Sequence, residues 1–217
     1  GKYLDDLAEL TGGRYVLVEK ILEGDETLPA SWACAGTTGY DALAAVDRLL
    51  VDPAGEPALD VLDTQLRGGL TVDWHAMTRS TKRAVADGPL RSEVLRLARL
   101  VPDVPGADDG VAELLASLGV YRTYLPIGGD QLTEAVQRAV TARPELADTL
   151  AELDRRLRDV GTEFSTRFQQ TSGMVMAKGV EDCAFYRWSR LTSLTEVGGE
   201  PGDFALTPAD LHDLHAR

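Results

Sequence analysis

The sequence predicts a mainly α chain with a smaller α+β part, and three observations carry that reading. Apolar residues recur at helical spacing through most of residues 74–168. Near the N-terminus, a helix-like run, a glycine pair and a short apolar strand ending in Glu19 give the βα-unit pattern of a parallel sheet or barrel. From Gln169 onward, Gly173, Gly179, Gly198 and Gly199 break the chain into short segments crowded with polar and aromatic residues. These shifts divide the chain into residues 1–68, 69–168 and 169–217.

Residues 2–11 carry Tyr3, Leu4, Leu7 and Leu10 on one helical stripe, and Gly12-Gly13 ends the run. Arg14 to Glu19 then reads as a strand, with Val16 and Val18 among apolar neighbours. In a (β/α)8 barrel the C-terminal ends of the strands face the active site, which is where Glu19 would sit. The plain alternative is an ordinary strand-end charge beside Lys20. Residues 23–36 lack periodicity and read as a loop. Thr37 or Thr38 caps a helix through Leu43, Val46, Leu49 and Leu50. Pro53 and Pro57 flank a turn, and Leu59, Leu62 and Leu66 mark a short helix before Gly68-Gly69.

In the helical middle, Pro89 opens a helix whose inner stripe is Leu90, Val94, Leu97, Ala98 and Val101. Asp108 or Asp109 starts another through Val111, Leu114, Leu115 and Leu118. Val120–Leu125 alternates briefly and reads as extended. Gln131–Val140 packs through Leu132, Ala135, Val136 and Ala139. Pro144 begins the clearest helix, with Leu146, Leu150, Leu153, Leu157 and Val160 in one stripe. A stripe of that kind buries one face only, so the region is a helix-on-helix module. At the far end Thr207-Pro208-Ala209-Asp210 supplies a cap, a first-turn proline and a first-turn acid.

Composition narrows the partners. A net charge of −13 argues against duplex nucleic acid. No apolar run approaches the length of a membrane span. Cys34 and Cys183 are too few and too far apart for a disulfide scaffold or a cysteine metal cluster, and suit reduced thiols in a cytoplasmic protein. His75, His212 and His215 form no ligand set, so no metal is expected. Gly128-Gly129-Asp130 lacks the spacing and the lysine of a phosphate loop, and no cofactor is implied. Arg79, Lys82, Arg83, Arg91, Arg96 and Arg99 read as a solvated cationic helix surface. One carboxylate at a strand end is half of what glycosidic chemistry needs, which suggests a piece of a larger active site. The opening and closing of the chain inside helix-like runs suggest the same.

A second candidate region is Lys178-Gly179-Val180-Glu181-Asp182, followed by Tyr186, Arg187 and Trp188. A lysine and two carboxylates around a glycine turn, with rings nearby, suit charge-assisted hydrogen bonds and stacking on a polyhydroxyl ligand. An internal ion-pair network fixing a loop accounts for the same residues equally well. Lys178 and Arg187 are expected to keep Glu181 and Asp182 ionised.

Several blocks together resemble the maltooligosyl trehalose synthase family of the α-amylase clan. They are Val18–Leu22 with Leu28-Pro29, Gly36–Asp41, Val120–Tyr124, Gln170–Gly173 running to Lys178–Asp182, Phe185-Tyr186-Arg187 and Leu194–Gly199. The resemblance implies that Glu19 is the general acid/base at the end of the fifth barrel strand. By the same resemblance, the family's nucleophilic aspartate lies before Gly1 and its transition-state-stabilising aspartate beyond Arg217. Lys178, Glu181, Asp182, Tyr186, Arg187, Trp188 and Glu196 become substrate-binding or loop-positioning residues. The family usually has Thr where Cys183 stands, and Asn where Thr195 stands.

The implied architecture is a helical insertion module (69–168) attached to a partial (β/α)8-barrel segment (1–68), with a glycine-rich substrate-loop region (169–217) returning toward the barrel. The implied partners are a maltooligosaccharide and the remaining barrel segments. The implied reaction converts the reducing-end α-1,4 linkage into a terminal α,α-1,1 linkage by intramolecular transglycosylation. Glu19 would first protonate the leaving oxygen and then, as base, activate the returning sugar hydroxyl. The competing expectation is a purely structural helical module with no chemistry of its own.

Overall fold

The helix-forming runs and their punctuation account for most of the architecture, which is mainly helical. The computed structural model describes residues 1–24, 26–199 and 202–215. The chain separates into two compact units: Gly1–Thr71 with Ser189–Arg217, and Val72–Trp188.

In the first unit, α1 (Lys2–Thr11) ends at Gly12, whose φ of 67° is a left-handed conformation that glycine adopts without steric cost. β1 (Leu17–Val18) pairs in parallel with β2 (Gly36–Thr37), Leu17 opposite Gly36 and Val18 opposite Thr37. Parallel neighbours need a connection of about a dozen residues or more, and the segment from Glu19 to Ala35 supplies it. β2 falls at the end of the stretch read from sequence as loop. A Gly-Thr pair shows no alternation, so nothing local announces it.

Helix α2 (Tyr40–Leu49) is capped by Gly39, at φ 102°, instead of by a threonine. The Thr37 hydroxyl accepts from Gly39 N–H at 3.1 Å and donates to Asp41 at 2.5 Å, so it braces the turn before the helix. α3 (Glu56–Leu66) forms where predicted but buries none of its residues. The last helix, Pro208–His215, opens on the predicted reciprocal cap: Thr207 N–H and hydroxyl donate to Asp210, and Asp210 N–H donates back to Thr207 Oγ1. This unit leaves much apolar surface uncovered. Leu10 is 85% exposed and Leu66 79%, with Tyr3, Tyr15, Leu50 and Leu70 comparable.

The second unit is the helix-on-helix module. It comprises α4 (Trp74–Asp87), α5 (Arg91–Ala98), α6 (Ala107–Ser117), α7 (Gly129–Ala142), α8 (Ala147–Leu157) and α9 (Glu163–Met176). α9 winds on through a π-helical segment, Ala177–Ala184, into α10 (Phe185–Trp188). α6 is buried nearly all round, as befits a helix that α4, α5, α7, α8 and α9 surround. The predicted stripes meet there: Val94, Leu97, Val111, Leu114, Leu132, Leu150, Leu153, Leu157 and Phe168 share one core. Val160 lies past the end of α8 and is exposed. Val120–Leu125 forms no ladder, only a bridge between Tyr124 and Ile127.

Leu150 is 0% exposed in that core. Leu150→Ala is expected to cost about 2–5 kcal/mol through lost burial and a residual cavity. A denaturant melt in which the variant matches the parent chain would show that this face is not core.

The cationic surface expected from Arg79 to Arg99 is, in its first part, an ion network around a buried carboxylate. Arg79 (2.7 Å) and Arg83 (3.1 Å) bind Glu113, which points from α6 into the interior and is 0% exposed. Arg83 also reaches Asp87 at 2.7 Å and Asp109 at 2.5 Å, and Arg143 joins Asp109 at 2.8 Å. Burial alone would raise the Asp109 carboxyl, but hydrogen bonds from Arg83 and Arg143 hold it below its ordinary value. Lys82 is buried, its ammonium donating to the carbonyl of Leu118 at the C-terminal end of α6, where the helix dipole favours a cation.

Candidate functional site

In the first unit, β1 ends at Val18 and the next residue, Glu19, is exposed. The alternation of the strand turns Lys20 the other way. Lys20 is buried, and its ammonium donates to Ile21 O at 2.6 Å and pairs with Glu26 at 2.5 Å. Lys20 therefore anchors the loop after the strand instead of neutralising its neighbour. Among the described residues Glu19 carries no hydrogen bond or ion pair.

Two other blocks lie close to this strand end. The Thr37–Asp41 brace follows β2, the neighbour of β1. The Leu194–Gly199 turn packs on the same place: a Cβ built at Gly198 would lie 3.2 Å from Tyr40 Cβ and 3.6 Å from Ile21 Cγ2, and Gly198 holds φ 73°. The left-handed backbone favours glycine there, and the 3.2 Å approach to Tyr40 leaves a side chain little room. Glu196 is exposed on this turn and lines a small hollow with Ala44, Asp47, Arg48 and Ser193. Thr195 is buried, its hydroxyl donating to Thr192 O at 2.7 Å. It therefore acts locally, in fixing the turn.

In the second unit the Lys178–Trp188 region is helix, where the sequence predicts a turn. Gly179 is the reason for the misreading. A Cβ there would come within 2.7 Å of Lys82 Cα and 3.0 Å of Lys82 N, so the glycine allows a backbone of the π segment to lie against α4. Lys178 and Asp182, one turn apart and exposed, pair at 2.6 Å, and Asp182 raises the lysine's affinity for its proton.

Glu181 behaves otherwise. It is half-buried and accepts a hydrogen bond from the Tyr121 hydroxyl. Burial, with a smaller contribution from the Asp182 charge, pushes its carboxyl up to about 7. The expectation that Glu181 stays ionised beside Lys178 and Arg187 is thus corrected, because Lys178 is committed to Asp182 and desolvation dominates. A carboxyl whose folded pKa is raised stabilises the fold most below its ordinary value and loses that contribution as pH rises through about 7. Glu181→Gln removes this penalty. Its melting temperature, relative to the parent chain, should be more favourable at pH 8 than at pH 5. An equal difference at both pH values would contradict the shift.

The aromatic residues divide as well. Tyr186 is 68% exposed and Arg187 is exposed. Trp188 is half-buried and tilts against Trp74 at 5.5 Å, while Trp74 stacks on Phe185 at 5.9 Å. With Met176, Val180 and Tyr121 the Trp74 and Phe185 rings make a second apolar cluster, so part of the region read as pocket lining is core. Tyr121 and Trp74 escaped the sequence reading of the site. Tyr121 stood in the Val120–Tyr124 block, but nothing near it in sequence names Glu181 as its partner. Among the described residues no group of acids, histidines and cysteines suits a metal ion, and no helix is long and apolar enough to cross a membrane.

The chain is similar over 99% of its length to part of a solved glycosyltrehalose synthase, at 31% identity and a TM-score of 0.77, covering 27% of that chain. More particularly, it is homologous to a segment of maltooligosyl trehalose synthase. The structure of that enzyme from Arthrobacter ramosus matches the whole chain at 52% identity and a TM-score of 0.93, with 29% of the enzyme covered. A Mycobacterium tuberculosis protein assigned as a maltooligosyl trehalose synthase is 39% identical over 216 residues. The chain spans 28% of the length of such curated relatives. No family model matches it.

Proposed function

We propose that this chain is part of an enzyme that converts the reducing-end α-1,4 linkage of a maltooligosaccharide into a terminal α,α-1,1 linkage, with Glu19 as its general acid/base. The observation that carries the reading is the placement of Glu19. It stands exposed, and unpaired among the described residues, at the C-terminal end of a parallel-paired strand, beside the Thr37–Asp41 and Leu194–Gly199 blocks. A rigid strand end is where barrel enzymes carry catalytic groups. Glu19 protonates the oxygen of the breaking bond, and as carboxylate it then takes the proton of the anomeric hydroxyl that attacks in return. The charge balance needs a second carboxylate opposite the sugar, which other parts of a full-length enzyme supply.

The first unit is then a partial barrel segment and the second a helical insertion. The exposed apolar side chains of α1, α2 and α3, with Leu10, Leu43 and Leu66 among them, support this, since large apolar patches ordinarily mark a partner surface. The remaining barrel is that surface, and two free cysteines suit the reducing cytoplasm. Lys178, Glu181, Asp182, Tyr186, Arg187, Trp188 and Glu196 contact sugar or position loops. A structural reading of the second unit has one observation in its favour, a complete core and ion network of its own. In that case its residues contribute stability and no chemistry.

The test is product analysis. A full-length synthase containing this chain, incubated with maltopentaose, should give a non-reducing product of unchanged mass on chromatography. The 217-residue chain alone should give none above a Glu19→Gln control. Hydrolysis to shorter reducing sugars as the sole full-length activity would contradict the assignment.

A further inference from the structure

Tyr121 sits where three elements of the second unit meet. Its carbonyl accepts a hydrogen bond from Ser172 Oγ on α9 at 2.8 Å, and a few residues on, Leu125 N–H donates to Gln169 Oε1 on α9 at 2.8 Å. These two bonds tie the Tyr121–Ile127 segment to α9, and the Tyr121 ring packs on the Met176, Val180 and Phe185 cluster. The phenol is therefore held before it meets Glu181, on a π-helical segment of a kind often found at functional sites. We propose that Tyr121 is a positioning residue that aims Glu181, and that Glu181, so held, takes up and releases a solvent proton, so that it meets a polyhydroxyl ligand as donor or as acceptor according to pH.

Among the described residues, the phenol of Tyr121 donates the hydrogen bond that Glu181 accepts. On its own segment, Asp182 is paired with Lys178, and Cys183 is a free thiol. On α4, Lys82 is bonded to Leu118 O, Arg79 and Arg83 are held by Glu113, and His75 is exposed. Arg187 on α10 is exposed, and Arg122, beside Tyr121, lies over the Tyr124 ring at 5.0 Å. The last two turns of α9, from Gln169 to Met176, carry no ionisable side chain. A phenol donating to a carboxylate favours the ionised form, opposing desolvation. Removing it should therefore move Glu181 further up, by about one to two pH units for a hydrogen bond to a charged group.

The pairing stands on the geometry of this unit; only the ligand clause rests on the sugar-contact reading above. The test is a pH titration of the 217-residue chain carrying 13C-labelled glutamate, with the Glu181 carboxyl resonance assigned by its loss in Glu181→Gln. The expected midpoint lies well above that of ordinary glutamates, and Tyr121→Phe raises it. Asp182→Asn should lower it, a control that keeps the phenol in place. A midpoint among the ordinary glutamates, or one that Tyr121→Phe leaves unmoved, overturns the proposal. In a full-length synthase containing this chain, the KM for maltopentaose should follow the same midpoint and lose that pH dependence in Glu181→Gln. A titration as expected with a KM indifferent to Glu181 would keep the pair and overturn the ligand clause.

Discussion

In a full-length synthase containing this chain, Glu19→Gln is expected to lower turnover by about 10²–10⁴-fold, the usual contribution of a general acid/base. Glutamine keeps the shape of the side chain and its hydrogen-bonding reach but transfers no proton. Oligosaccharide affinity should therefore change little, while the fall appears in kcat. Glu19 has no structural partner among the described residues and is exposed, so its replacement removes no packing or ion pair. Glu196→Gln is the natural comparison, since Glu196 is also exposed, on the turn that packs beside the same strand end. It should weaken substrate use and retain turnover. Measured kcat in the Glu19 variant within a few-fold of the parent would end the catalytic assignment.

Glu113→Ala should produce the largest loss of stability of any charge replacement in the second unit. Its carboxylate is wholly buried and binds both Arg79 and Arg83. Removing one partner of a buried pair leaves cationic groups without their counter-charge, at a cost of about 3–5 kcal/mol. The arginines retain some water contact, and Arg83 retains Asp87 and Asp109, which places the expectation at about 3 kcal/mol. Glu113→Gln keeps the volume and one acceptor oxygen and should lose less. Denaturation followed through Trp74 and Trp188, both in this unit, provides the measurement. A change under about 0.5 kcal/mol, the range of ordinary surface substitutions, would show that the network contributes nothing.

What the sequence made legible was local. The stripe of Leu150, Leu153 and Leu157, the stop at Gly12 and the cap of Thr207 with Asp210 are each set by residues within a turn or two, and each appears as predicted. The Lys178–Asp182 pair, four residues apart, was hidden because the stretch reads as a turn and not as a helical face. Glu19 was legible as a strand-end acid because apolar residues precede it.

The misreadings come from contacts between residues distant in sequence. Gly179 looks like a turn until the backbone of α4 lies against it. Arg79 and Arg83 look like solvated surface until Glu113, some thirty residues on, is found in the interior. Glu181 looks ionised among its sequence neighbours. Its environment is set instead by burial and by Tyr121, sixty residues away. β2 is too short to show a period, and only its pairing with β1 makes it a strand.

The central claim, that Glu19 acts on the reducing-end bond, is tested most directly by a crystal structure of the full-length Glu19→Gln variant with a bound maltooligosaccharide. The substitution stops turnover and leaves the substrate in place. The account predicts the residue-19 side chain within about 2.6–3.2 Å of the oxygen of the reducing-end α-1,4 linkage, directly or through one water. A bound sugar whose reducing-end linkage lies beyond that reach, with residue 19 turned to solvent, would contradict it.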